Sequence, residues 1–234
     1  MKVLFIYPNA GSQTGFNYGV AHMAGVLKAA GHQAACWQLC EDIAPLPDRD
    51  AFIAGIRAAA ADVVGFSVVT PQWPYARQLA AWARQATAAP LICGGIHAGV
   101  AGEEVLASGL FDAIMVGECD EAILDYVQRL GSGRSTEDMP NLGTRRPDGS
   151  VRINPVRPLP ELRTLPPKDY EAFDFQGIID AKGGWVGLMA SRGCPFRCSY
   201  CFNHVMVSRY RRDLACTFAQ LNYIRHHDVG QMID

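Results

Sequence analysis

The stretch Asp62-Val63-Val64-Gly65-Phe66-Ser67-Val68-Val69 decides how the first half of the chain folds. It is almost continuously apolar, which is typical of a strand covered on both faces in a parallel sheet. Four further runs have strand character, and three of these are also continuously apolar. The five predicted strands are Val3–Tyr7, Gln33–Leu39, Asp62–Val69, Pro90–Cys93 and Ala113–Val116.

The segments between these runs have helical periodicity, as Val20, Met23 and Leu27 illustrate. Strands that alternate with helices predict an α/β fold over residues 1–130. We expect a flavodoxin-like, doubly wound, five-stranded parallel sheet with right-handed crossovers. In such a sheet the ligand binds beyond the carboxyl ends of the strands, at a topological switch point.

The loops at that edge carry residues suited to a bound cofactor. Adjacent glycines let a ligand approach the backbone closely, although they can equally serve only to make a turn. No G-x-G-x-x-G follows the first strand and no G-x-x-x-x-G-K-[ST] occurs, so dinucleotide and P-loop sites fit poorly. The candidate cofactor-binding residues are Asn9, Thr70, Gly94, Gly95, His97, Gly117 and Glu118.

Residues 131–184 differ in composition from the first 130. Seven of the chain's fourteen prolines lie between Pro140 and Pro167, which excludes a long helix or a central strand there. Asp148-Gly149, between Thr144-Arg145 and Val151–Ile153, predicts a small hairpin with a tight turn. The segment lacks the Gly/Ser richness of a flexible linker, so we expect an ordered, extended connector.

Residues 185–234 carry three thiols in the loop Cys194-Pro195-Phe196-Arg197-Cys198-Ser199-Tyr200-Cys201. Thiolates at C-x3-C-x2-C spacing suit an iron–sulfur cluster, and three ligands leave one iron of a four-iron cluster open. The run Trp185–Met189 predicts a buried strand before the loop. A helix from Leu214 to about Arg225 and a strand at Gln231–Asp234 are expected after it. Because a complete (β/α)8 barrel needs about 250 residues, we expect only its first β-α-β portion, in a truncated chain.

Other interpretations of the cysteines stay open. His204 would complete a Cys3His zinc set, although zinc modules rarely follow a hydrophobic strand of an α/β chain. A disulfide is a weaker alternative, because three cysteines cannot all pair and nothing indicates secretion. The other five cysteines are interpreted mainly as small packing residues. They are Cys36, Cys40, Cys93, Cys119 and Cys216, of which Cys119 is the least clear.

Composition narrows the class of protein. Apolar residues make up 49% and charged residues 19% of the 234-residue chain, as in ordinary soluble globular proteins. The net charge of −2 argues against nucleic acid or an anionic membrane surface as the main partner. The strand-like start, Lys2–Tyr7, is too short for a signal peptide or a membrane span. We therefore expect a cytoplasmic protein whose cysteines stay reduced or bind metal.

Taken together, these motifs give the chain a family resemblance. It resembles the cobalamin-binding-domain radical S-adenosylmethionine (SAM) proteins, a group that includes anaerobic magnesium-protoporphyrin ester cyclase and cobalamin-dependent C-methyltransferases. The resemblance covers nearly the whole chain. It rests on Gly94-Gly95-Ile96-His97, Gly117-Glu118, the proline-rich connector, and the stretch from Ser191 to Asn203.

The resemblance implies three cofactors. Cys194, Cys198 and Cys201 would hold a [4Fe–4S] cluster whose open iron chelates SAM, and Tyr200 would pack near the SAM adenine. Reduction would cleave SAM to a 5′-deoxyadenosyl radical, and cobalamin in the first domain would supply a methyl group to an unactivated carbon. Reduced flavodoxin or ferredoxin is the electron donor that the resemblance suggests. No side chain is assigned a catalytic role of its own.

The resemblance also shapes what is expected of the first domain. The D-x-H-x-x-G signature of proteins with a histidine below the cobalt is absent, so His97 is expected to line the site rather than to ligate cobalt. Thr70 would hydrogen-bond the corrin amides or the nucleotide tail, and Glu118 a hydroxyl. The family often has proline where this chain has Ala98 and glycine where it has Cys119, and either change would reshape the pocket.

Three other functions remain as alternatives to methyl transfer. One is an oxidative, ring-forming cyclase of the same family. Another is a radical SAM protein whose first domain no longer binds cobalamin. The last is a non-catalytic, cofactor-binding fragment.

Overall fold

The computed structural model describes residues 1–230, and its first half is built on five parallel strands. These strands are β1 (Lys2–Tyr7), β2 (Gln33–Gln38), β3 (Val63–Ser67), β4 (Leu91–Gly94) and β5 (Ala113–Met115). They lie in the order β2-β1-β3-β4-β5. Because β2 lies on one side of β1 and β3 on the other, the topological switch point is between β1 and β3. The sequence predicted all five strands within a few residues of their observed ends.

Helices cover both faces of this sheet. They are α1 (Tyr18–Ala29), α2 (Arg49–Ala59), α3 (Trp73–Ala86), α4 (Ile96–Val100), α5 (Gly102–Ala107) and α6 (Asp120–Gly131), with a 3₁₀ turn at Thr70–Gln72. The helices α1 and α6 pack on one face, and α2, α3 and α5 pack on the other. Side chains alternate along a strand, so Leu4 and Ile6 enter one core while Val3 and Phe5 enter the other. No helix in residues 1–230 has the length and apolar character needed to cross a bilayer.

A hairpin extends the sheet, so it has seven strands rather than the predicted five. Its strands are β6 (Leu142–Arg145) and β7 (Val151–Ile153). The hairpin was expected, but its place was not. The strand β6 pairs antiparallel with β5, with Met115 opposite Leu142. This pairing covers the backbone groups that β5 would otherwise leave open at the sheet edge.

The rest of the connector folds back onto α1. Leu162, in a 3₁₀ turn at Leu162–Thr164, packs with Leu165 against Val26. The Asp169 amide donates a hydrogen bond to the Ala21 carbonyl at 2.9 Å. At Gly25 a Cβ atom would run into the Pro167 carbonyl, so only glycine allows this approach. A short helix, α7 (Phe175–Ala181), ends the connector.

The C-terminal region departs most from the predictions. Residues Trp185–Met189 are not a buried strand, and Trp185 is 78% exposed. The observed strands are β8 (Ser191–Arg192) and β9 (Arg225–His226), and they pair antiparallel, whereas neighbouring barrel strands run parallel. The strand predicted at Gln231–Asp234 lies outside the described residues.

The helix expected from Leu214 to about Arg225 is also wrong. The main helix here is α8 (Asn203–Asp213), and only the short α9 (Phe218–Leu221) follows it. The backbone turns left-handed at Ala215 (φ 49°) and again at Asn222 (φ 46°). A left-handed residue ends a right-handed helix, so the periodic apolar residues in this stretch do not share one helix.

Candidate functional site

A cleft of about 650 Å³ opens at the carboxyl edge of the parallel sheet. Residues of four strands form its floor, and they share one face of the sheet. The floor residues are Phe5, Gly65, Ile92 and Met115. The cleft is also lined by Ser191, Arg192 and Gly193 of the C-terminal region and by Tyr210 of α8. The cleft therefore lies between the sheet edge and the segment that leads into the three cysteines.

Gly94 and Gly95 line this cleft at the end of β4. Gly95 has φ +87°, and a Cβ there would lie 2.6 Å from the Val68 carbonyl oxygen. The turn therefore needs glycine at position 95. Gly94 differs, because a Cβ there would meet nothing closer than 3.8 Å. Its lack of a side chain leaves room in the cleft and is not required by the fold.

Asn9, Thr70 and His97 lie in and around the 3₁₀ turn at Thr70–Gln72. Asn9 is buried and accepts a hydrogen bond from the Gln72 amide at 3.1 Å. The His97 Nδ1 is 3.4 Å from the Thr70 hydroxyl, and its ring packs on Trp73 with centroids 4.6 Å apart. These three are not among the described residues that line the cleft.

His97 is almost fully buried, and its Nε2 has no hydrogen-bond partner among residues 1–230. Burial lowers the pKa of His97, against an opposing effect of Glu104. The ring is therefore neutral near pH 7. Its packing on Trp73 gives it a structural role in holding the loop after β4.

Gly117 and Glu118 line the cleft after β5, and Glu118 has partners within the protein. Its carboxylate pairs with Arg192 at 2.7 Å and also with Arg225. Gly117 has φ +87°, and a Cβ there would lie 2.5 Å from the Tyr210 hydroxyl. That hydroxyl accepts a hydrogen bond from the Glu118 amide at 2.7 Å.

Asp120, the first residue of α6, completes this cluster. Its carboxylate accepts two hydrogen bonds from the Arg192 guanidinium, at 2.7 and 2.9 Å. Burial alone would raise the pKa of Asp120, but the hydrogen bonds and charge of Arg192 outweigh it, so the pKa is lowered. For Arg192 burial lowers the pKa, and the two carboxylates raise it well above its usual value. Both groups are therefore charged at neutral pH.

Sequence reasoning missed Asp120, Tyr210 and Arg225. Arg192 was expected only as part of the stretch from Ser191 to Asn203 that carries the family resemblance. The sequence held one modest signal for these contacts. Two acidic residues, Glu118 and Asp120, follow a predicted strand, and carboxylates at a buried sheet edge need a positively charged partner.

The three cysteines lie just beyond Arg192 and Gly193. Cys194 and Cys201 are partly buried and Cys198 is exposed. Tyr200 is 91% exposed and is separate from the cleft. In residues 1–230 no three histidine, cysteine or carboxylate side chains are grouped so that they could hold a metal ion.

The chemistry of the residues fits the expected groups. Three thiols in one loop are the donor set that iron–sulfur clusters use. A small cavity of about 280 Å³ beside them is lined by Cys194, Arg197, His204 and Arg211. At the cleft, the side chain that Gly94 lacks would fill space that is open to a ligand.

Comparisons with known proteins agree with this geometry. Residues 11–127 match the family model of the B12 binding domain. An anaerobic magnesium-protoporphyrin IX monomethyl ester cyclase of Rubrivivax gelatinosus is 28% identical over 100% of this chain and 44% of its own length. An uncharacterised methyltransferase of Pyrococcus horikoshii is 26% identical, over 98% of this chain and 51% of its own. The chain thus spans about half the length of these relatives.

Two solved structures share the fold. The radical SAM methyltransferase TsrM from Kitasatospora setae, with cobalamin and a [4Fe–4S] cluster bound, superposes with a TM-score of 0.72 at 17% identity. The match covers 100% of this chain and 44% of that one. The cobalamin-dependent SAM radical enzyme OxsB, with aqua-cobalamin and SAM bound, gives a TM-score of 0.68 at 15% identity, over 95% and 32%.

Proposed function

The chain belongs to the family that carries the B12 binding domain, and on this premise we propose that it is part of a cobalamin-dependent radical SAM enzyme that methylates an unactivated carbon. One observation carries the proposal. The cleft at the edge of the B12-binding fold is also lined by Arg192 and Gly193, which lead directly into Cys194. A ligand in the cleft and a cluster on the cysteines would therefore be neighbours.

The residues have separate tasks in this proposal. Cys194, Cys198 and Cys201 would hold the [4Fe–4S] cluster, and cobalamin would occupy the cleft against Gly94 and Gly95. When bound, the cluster and SAM supply the radical chemistry and cobalamin supplies the methyl group. The apolar floor of the cleft excludes water from one side of the ligand, which protects reactive species from side reactions.

A ring-forming cyclase is the second candidate. It is favoured by the relative from Rubrivivax gelatinosus, whose name describes a cyclase and which aligns with all of this chain. In either case a one-electron donor is needed, and we propose a reduced flavodoxin or ferredoxin in the cytoplasm. The exposed Arg197 and Arg211 near the cysteines would favour such acidic partners.

The test is anaerobic reconstitution with iron, sulfide and hydroxocobalamin, followed by desalting, metal analysis and an absorption spectrum. We expect about four irons and one cobalt per chain, as the resemblance implies. Iron without cobalt would refute the cobalamin part, and zinc without iron or cobalt would refute the whole proposal.

Two matched variants sharpen this test. Cys201→Ala should lose most of the iron, whereas Cys216→Ala, which removes a partly buried thiol outside the loop, should keep it. Gly94→Val places a side chain in the cleft without meeting the backbone, so it should lose cobalt but keep iron. Equal cobalt in Gly94→Val and the wild type would show that cobalamin binds elsewhere.

A further inference from the structure

Two carboxylates at the start of α6 hold two arginines from the C-terminal region. The two carboxylate oxygens of Asp120 accept hydrogen bonds from the two terminal nitrogens of Arg192, and Glu118 pairs with both Arg192 and Arg225. Arg225 also donates to the Pro160 carbonyl at 2.8 Å. The B12-binding fold, the connector and the segment before the cysteines therefore meet at one cluster of charges.

This cluster is buried. The side chains of Asp120 and Arg225 are 3% exposed and that of Arg192 is 11%, whereas that of Glu118, at the rim, is 21%. Charges taken out of water need partners in good geometry, and Arg192 has them in Asp120 and Glu118. Removing one partner leaves the other charge buried and unpaired.

The path from this cluster to the first cysteine is short and closely packed. Gly193 alone separates Arg192 from Cys194. It has φ +93°, and a Cβ there would collide with the Tyr223 carbonyl. The position of Arg192 therefore limits where Cys194 can lie.

We propose that Asp120 is a positioning residue for the cysteine loop: through Arg192 it sets the place of Cys194 relative to the cleft, and Glu118 braces Arg192 against Arg225. The inference rests on the proposed function, because it gives the cluster a task only if the loop binds iron and the cleft binds cobalamin. Asp120 and Glu118 both line the cleft, so a ligand there would lie close to the cluster. Binding at the cleft and order in the loop are then coupled in both directions.

The test compares Asp120→Asn with Asp125→Asn. Asp125 lies on the same helix and also pairs with two arginines, Arg129 and Arg157, but neither belongs to the C-terminal region. The readout is the alkylation rate of each cysteine in the reduced apoprotein, followed by mass spectrometry. Loss of the charge-assisted bonds should raise the rate at Cys194 roughly tenfold in Asp120→Asn and leave it unchanged in Asp125→Asn.

Cys93, fully buried in the core, reports on global unfolding in the same samples. A faster rate at Cys194 with an unchanged rate at Cys93 supports positioning. Parallel increases at both, or equal Cys194 rates in the two variants, would overturn it. If Asp120→Asn does not fold, Arg192→Lys, which keeps the charge but loses the two-pronged contact, takes its place under the same criteria.

Reconstitution of the same variants separates this inference from the proposed function. Asp120→Asn should bind cobalamin about tenfold more weakly when the cluster is present than the wild type does. If the wild type binds iron and cobalamin while Asp120→Asn matches Asp125→Asn in all readouts, only the positioning role fails. If the wild type binds neither cofactor, the proposed function fails, and the alkylation rates still decide whether Asp120 holds the loop.

Discussion

Substituting Gly117 by alanine should destabilise the protein through two effects that can be measured separately. The first is conformational: Gly117 has φ +87°, and an L-residue held at positive φ costs about 1–2 kcal/mol. The second is steric. The new methyl would lie 2.5 Å from the Tyr210 hydroxyl and 3.2 Å from the Asn141 amide, so the buried tyrosine must shift.

The shift has a calculable consequence. The Tyr210 hydroxyl accepts the Glu118 amide hydrogen bond at 2.7 Å, and breaking it leaves a buried donor unpaired, at about 1–3 kcal/mol. The two effects together predict a loss of about 2–5 kcal/mol in the free energy of unfolding. For a chain of this size that corresponds to a fall in Tm of roughly 5–15 °C.

Urea denaturation followed by circular dichroism measures the loss, with Gly149→Ala as the matched control. Gly149 has φ +86° in the hairpin turn, and a Cβ there would meet nothing closer than 3.7 Å, so it reports the conformational cost alone. Tyr210→Phe combined with Gly117→Ala should be less destabilising than the two single changes added together. Equal losses for Gly117→Ala and Gly149→Ala would refute the steric part of the reasoning.

Three further predictions follow from buried residues. Burial lowers the pKa of His22 to about 3, below its unfolded value near 6.5. The free energy of unfolding should therefore fall as the pH drops from about 6.5 towards 3, by at most about 1.4 kcal/mol per pH unit. In His22→Leu the free energy of unfolding should depend less on pH over this range than it does in the wild type. Phe52→Ala should cost about 3–5 kcal/mol in urea denaturation, because Phe52 is fully buried and stacks on Trp37. Gly99→Val should cost about 1–3 kcal/mol in thermal unfolding, because a Cβ there would lie 2.9 Å from the Phe202 ring; an unchanged Tm would contradict the packing of α4 against α8.

The parallel core was predictable because its strands are nearly continuous apolar runs in the sequence. A run such as Val63–Ser67 is apolar on both faces, which is typical of a strand covered on both sides. The position of the hairpin was not predictable in the same way. Its turn residues identify a hairpin, but the open edge that it covers belongs to β5, some thirty residues earlier.

The C-terminal region misled the sequence reasoning for physical reasons. Apolar content at Trp185–Met189 resembles a buried strand, yet these residues meet solvent here. Left-handed backbone at Ala215 gives no sequence signal, since alanine favours helices.

The candidate site was predictable in part. Strand ends placed Gly94 and Gly95 correctly at the sheet edge, because parallel strands end on one side. The pairing of Glu118 with Arg192 joins residues 74 positions apart, and no local pattern encodes such a contact.

The packing of the connector on α1 determines which shortened fragments of the chain would keep the contacts of the first domain. Lys28 and Asp169, which are 141 positions apart in the sequence, form an ion pair. Gly25 has no Cβ, and this lets the Pro167 carbonyl approach α1 closely. A fragment ending near residue 130 would contain the stretch matched by the family model, yet it would expose this groove and leave β5 without its outer neighbour. To keep α1 and the outer edge of β5 covered as they are here, a fragment has to extend through α7, whose Ile178 belongs to the same core as α1.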